Sequence, residues 1–86
     1  MITNPVALSK VAKGSRLVIV EVPEGRARAQ LLRLGVTKGE LIRCLERLPG
    51  GTVVILKHRQ EIAIGVGLAA HILVAYAGTE RQGTQL

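Results

Sequence analysis

Cys44, His58 and His71 are the only thiol and imidazole groups in the 86-residue chain, so nucleophilic or soft-ligand chemistry must start from them. Nucleophilic catalysis needs a nucleophile beside a base, and no local motif supplies that pair here. Cys44 follows Ile42 at the two-residue period of a strand, where a lone cysteine behaves as a small buried hydrophobe. His58 lies between Lys57 and Arg59, whose charges oppose a metal cation, and His71 is remote from it in sequence. First-row metals require clustered Cys, His or carboxylate ligands, and the chain offers no such cluster. Gly65-Val66-Gly67 is only a fragment of a nucleotide-binding glycine pattern, without the third glycine or a Walker lysine. No catalytic residue, metal ligand or cofactor site is assigned, and the chain is read as a non-enzyme.

The more informative chemistry is cationic. Twelve Lys and Arg against six Asp and Glu give a formal charge of +6, which attracts an acidic partner at long range without naming it. Arg26, Arg28, Arg33, Arg43 and Arg47 each read singly as solvated surface. Arg26 and Arg33 stand apart, because two helical turns bring them nearly into line. Together with Leu32 on the flank of the same helix they are the candidate partner-binding residues. By spacing alone, the default for Leu32 is the core.

Those residues need a scaffold, and the chain is long enough for one core only. With 48% hydrophobic residues it should fold, and its one cysteine rules out an internal disulfide, which suits a reducing cytosol. Residues Met1 to Lys13 hold no apolar run long enough for a secretory signal. The uncharged stretch Ile62 to Gly78 approaches the roughly 17-residue minimum for a membrane span. His71 and the glycines Gly65 and Gly67 weigh against that use.

The first strand is expected over Arg16 to Val22, after the Gly14-Ser15 turn and before Pro23-Glu24-Gly25. Arg26 to Leu34 reads as a short helix with Ala27, Leu31 and Leu34 on one face and Arg26, Gln30 and Arg33 on the other. Gly35 then takes the left-handed C-terminal position. A turn over Val36 to Gly39 leads to a strand over Glu40 to Leu48, with Ile42 and Cys44 on one side and Arg43 and Arg47 on the other. Pro49-Gly50-Gly51 marks a hairpin into Thr52 to Lys57, and His58-Arg59-Gln60 a polar turn into the strand Glu61 to Ile64. Gly65 to Ala70 suits a single helical turn, and His71 to Val74 a closing strand. The domain is placed at residues 1–76, with 77–86 as a flexible tail. About five short strands with one early helix point to a mainly β, small barrel.

The order of these signals resembles the FeoA family. Leu8-Ser9 with Lys13-Gly14 is similar to the family's opening segment, and Leu31 to Glu40, LLRLGVTKGE, to its most characteristic stretch. The Pro49-Gly50-Gly51 turn, Ile62-Ala63-Ile64, and Ala69 with Ile72 and Val74 follow in family order. The similarity spans roughly residues 6 to 75, a run of short motifs whose order carries the weight. Gly65-Val66-Gly67-Leu68 departs from it, standing where the family has more polar residues.

The resemblance implies an SH3-like barrel and a cytoplasmic accessory of bacterial ferrous iron uptake, belonging at family level to transition metal handling. The implied partner is the large membrane transporter, ferrous iron transport protein B, with its cytosolic GTP-binding domain. The chain would act at the inner face of the membrane through that partner, with iron as the cargo of the pathway; self-association stays open. Two other readings remain. A small basic barrel can bind nucleic acid, although Tyr76 is the only aromatic available for stacking. A membrane-inserted protein is the other, resting on Ile62 to Gly78.

Overall fold

The computed structural model describes residues 4–77. Its six strands are β1 (Val6–Ala7), β2 (Arg16–Glu21), β3 (Leu41–Arg47), β4 (Val53–Lys57), β5 (Gln60–Ile64) and β6 (Leu73–Tyr76). A 3-10 turn at Leu8–Lys10 follows β1, helix α1 (Arg26–Arg33) joins β2 to β3, and the short α2 (Val66–Ala69) joins β5 to β6. All pairings are antiparallel, in the order β1-β6-β2-β3-β4-β5. The mainly β, SH3-like barrel is borne out. Among the described residues no strand pairing joins β1 to β5.

Alternating burial explains why these segments form strands. Leu17 and Ile19 of β2, Ile42 and Cys44 of β3, Val53 and Ile55 of β4, and Ile62 and Ile64 of β5 are all buried, with their neighbours more exposed. Each strand thus contributes the apolar half of a two-residue period to one shared core. Leu8, Val11, Ala69 and Ile72, outside the strands, are also fully buried. The Leu8 amide donates to the Ile72 carbonyl at 2.8 Å, tying the 3-10 turn to the segment before β6.

Four details differ from the sequence expectation. β1 is an extra strand of two residues, too short to show any periodicity, and is held in place by its register with β6. The closing strand starts at Leu73, because His71 still belongs to the turn that ends α2, its amide bonding Leu68 O at 3.0 Å. On α1 only Leu31 is buried; Ala27 is half-buried, and Leu34, the C-cap, is 39% exposed. In β3 a bulge falls between Cys44 and Glu46, so Cys44 pairs with Ile55 but Arg47 pairs with buried Val53. The extra residue reverses the alternation. Arg47 therefore stands on the same side as Cys44, not alongside Arg43, and its Nη2 donates to the Ser9 carbonyl at 2.7 Å.

The apolar stretch from Ile62 is divided among β5, α2 and β6. Among the described residues no helix is long and apolar enough to cross a membrane. The expected tail lies, apart from Ala77, outside the described residues; the Ala77 amide still donates to Arg16 O at 2.9 Å.

Candidate protein-docking surface

Helix α1 is fixed at both ends by backbone chemistry. At its start Gly25 takes φ 85°, a conformation that only glycine adopts cheaply, and its carbonyl accepts from Ala29 N at 3.3 Å. The Arg28 guanidinium reaches back to the end of β2, donating to Val22 O at 3.2 Å, with Glu21 Oε2 at 4.0 Å. At its end the Val36 amide bonds Leu31 O at 2.8 Å and the Gly35 amide bonds Leu32 O at 3.0 Å. This is the paired 6→1 and 5→2 arrangement that closes a helix on a left-handed glycine, and Gly35 has φ 78°. Leu31 and Val36, which flank it, are both buried.

With Leu31 anchored inward, the orientation of the other side chains follows. Leu32, next round the helix, is 63% exposed. The spacing-based default of core packing is thus corrected: the stripe that α1 buries is too narrow to reach it. Arg26 and Arg33 are exposed, and among the described residues neither has an acidic partner within ion-pair distance. Arg28 differs, since its charge is engaged at the β2 end. Among the described residues the helix thus presents two guanidiniums without an acidic partner, and an exposed leucine.

Beside this surface a groove of about 360 Å³ separates the C-terminal half of α1 from β5 and α2. Leu31, Arg33 and Leu34 line one wall, and Ala63, Ile64 and Leu68 the other. A second groove, of about 370 Å³, lies against β2, β3 and β4 and includes Arg16, Leu41, Arg43 and His58. Within it Arg16 and Arg43 are direct cross-strand partners. Leu41 is 67% exposed, a feature that its position next to inward Ile42 could have revealed in the sequence. Leu34 carried no such signal, because its exposure depends on where the helix stops.

The remaining reactive groups are dispersed. Cys44 is fully buried, as its strand position implied. Burial pushes its thiol pKa up from the ordinary value of 9.0, against the opposing charge of Arg47. His58 and His71 are both exposed, and among the described residues no three His, Cys, Asp or Glu side chains gather as a metal site.

Comparison with known proteins agrees with this architecture. The FeoA domain family matches over residues 6–76. A search of curated proteins found no significant sequence match. Among solved structures, the crystal structure of an iron uptake regulatory protein, FeoA, is 32% identical with a TM-score of 0.78, covering 87% of this chain and 100% of that one. A FeoA-like protein from Clostridium acetobutylicum has the same TM-score of 0.78 at 19% identity, covering 95% and 98% of the two chains. The manganese regulator SloR shares the fold alone, at 16% identity and a TM-score of 0.75, with this chain spanning 34% of its length. A match that runs from β1 to the end of β6, joined to a full-length relative of the same barrel, places this chain in the FeoA domain family, whose membership points to a role in ferrous iron transport.

Proposed function

We propose that this domain is a non-catalytic accessory that docks on the cytosolic domain of the ferrous iron transport protein B and modulates its transport or GTPase cycle. The observation that carries the reading is the outer surface of α1, where Leu32 is 63% exposed and Arg26 and Arg33 have no acidic partner among the described residues. An exposed leucine to one side of two aligned cations suits an acidic partner surface with an apolar recess. The leucine supplies area removed from water on docking, and the arginines supply steering and register. Family membership supports the choice of partner.

The test is binding to the transporter's cytosolic domain, measured for the wild type and for Arg26→Glu, Arg33→Glu and Leu32→Ser. Burial of a leucine is worth about 1.5–3 kcal/mol, so Leu32→Ser should weaken binding about tenfold or more. The two charge reversals should slow association and flatten its salt dependence. Unchanged affinity in all three variants removes α1 from the contact.

A further inference from the structure

The groove between α1 and β5 has a property that its lining side chains do not reveal. β5 ends the sheet, paired with β4 and with no strand on its other side among the described residues. Its register fixes which backbone groups face outward. Lys57 pairs with Gln60 across the two-residue loop His58-Arg59, and such a loop is closed by a hydrogen-bonded pair. Hydrogen-bonded and non-bonded pairs alternate from there, so Leu56 with Glu61 and Val54 with Ala63 are non-bonded pairs. The N–H and C=O groups of Glu61 and Ala63 consequently point away from β4. Both residues are exposed, and neither backbone makes a turn or loop hydrogen bond among the described residues.

We propose that this groove takes an extended, acidic segment of a partner protein as an added strand, paired through the backbones of Glu61 and Ala63. A strand laid there would gain up to about four main-chain hydrogen bonds, two for each outward-facing residue. Alternate side chains would turn toward Leu31, Leu34 and Leu68, which line the groove on the α1 and α2 sides. Arg33 lines the same groove near Ala63 and Ile64 and has no ion-pair partner among the described residues, so it favours a carboxylate at that end. A second copy of this chain fits less well, since one basic domain of formal charge +6 would be set against another. The inference shares with the proposed docking the premise that the partner is a protein and the side chain of Arg33, which lines the groove.

The experiment titrates the intact, isotope-labelled protein with a capped hexapeptide in which threonine alternates with leucine, leucine and glutamate, so that the glutamate shares the groove-facing side with the leucines and can reach Arg33. Two further versions carry N-methyl groups on one or the other set of alternate amides. Binding should slow hydrogen exchange at the Glu61 and Ala63 amides about tenfold or more, and one methylated version should lose about tenfold in affinity while the other keeps it. Ala63→Pro, which removes an outward donor at a sheet edge that tolerates proline, should abolish the protection. If that variant fails to fold, the methylated peptides still decide the matter. Equal binding by all three peptides, protection elsewhere than Glu61 and Ala63, or no saturation at low millimolar peptide overturns the proposal. Self-association that protects the same two amides without peptide gives the groove to a second copy and also overturns it. Arg26 does not line the groove. Arg26→Glu should therefore weaken docking on the transporter domain and leave peptide uptake unchanged, which keeps the two readings separable.

Discussion

Gly35 meets the end of the Lys57 side chain: a Cβ built on Gly35 would lie 3.0 Å from Lys57 Nζ and 3.1 Å from its Cε. Lys57 in turn sits 3.7 Å from Glu40 Oε1. The helix terminus, the end of β4 and the start of β3 thus converge on one glycine. Its φ of 78° satisfies the last carbonyls of α1, and its missing side chain leaves room for the lysine.

Gly35→Val should therefore destabilise the fold by about 1–3 kcal/mol, mainly through the left-handed backbone, which a β-branched residue adopts poorly. Gly35→Asn should cost less, because asparagine tolerates that conformation and Lys57 can yield at its flexible end. Urea midpoints for the pair check the order. Equal stability of the valine variant and the wild type would remove the helix-terminating role of Gly35.

Cys44 makes stability depend on pH in the alkaline range. Its folded thiol titrates above the ordinary 9.0, chiefly because burial disfavours the thiolate, whereas the unfolded thiol titrates near that value. Between the two, the unfolded chain holds fewer protons than the folded one, so raising pH favours unfolding. This contribution is absent well below 9.0 and grows as pH rises through and beyond it. In Cys44→Ala the alkaline fall should be shallower than in the wild type, after allowance for a uniform cost of about 1 kcal/mol from lost packing. Parallel pH profiles of the two proteins would show that Cys44 does not carry the effect.

The strands and α1 were legible because their burial is written in the local order of apolar and polar residues, and the glycines Gly35, Gly50 and Gly51 marked turns that do take positive φ. Arg47 was misplaced because a bulge is a property of two paired strands, and the residues of β3 alone do not record it. β1 escaped for a related reason: Val6 and Ala7 become a strand only through their register with Val74 and Leu73. For the docking surface, the arginine alignment followed from helix geometry. The exposure of Leu32 did not, since a leucine at the border of an apolar stripe falls on either side depending on how the helix is rotated against the core.

The bulge separates two arginines that the sequence had grouped. Arg43 lies directly opposite Arg16, and like charges facing across strands repel. Arg43→Glu should stabilise the protein by about 0.2–1 kcal/mol, with the gain shrinking as salt is added. Arg47 bonds the Ser9 carbonyl at 2.7 Å, so Arg47→Ala should cost about 0.5–1.5 kcal/mol. Thermal melts at low and high salt would test both; shifts in the same direction for the two substitutions would overturn the opposite roles of Arg43 and Arg47.

Gly51 and Val66 connect the β3–β4 hairpin to α2. A Cβ on Gly51 would fall 2.5 Å from Val66 Cγ2 and 2.8 Å from its Cβ, so the two segments approach as closely as they do only because residue 51 is glycine. Gly51 also has φ 99°, which adds a backbone cost that does not involve Val66. Gly51→Ala should consequently be destabilising by more than the ~1–2 kcal/mol of a left-handed alanine. Val66 is 51% exposed, so Val66→Ala alone should be mild. Combining them should recover the part of the steric cost that the Val66 methyl groups cause and leave the 2.8 Å approach to the residue-66 Cβ together with the backbone part, giving a favourable coupling of about 0.5–3 kcal/mol in a double-mutant cycle. Strict additivity would mean that the hairpin yields to the new methyl group without pressing on α2.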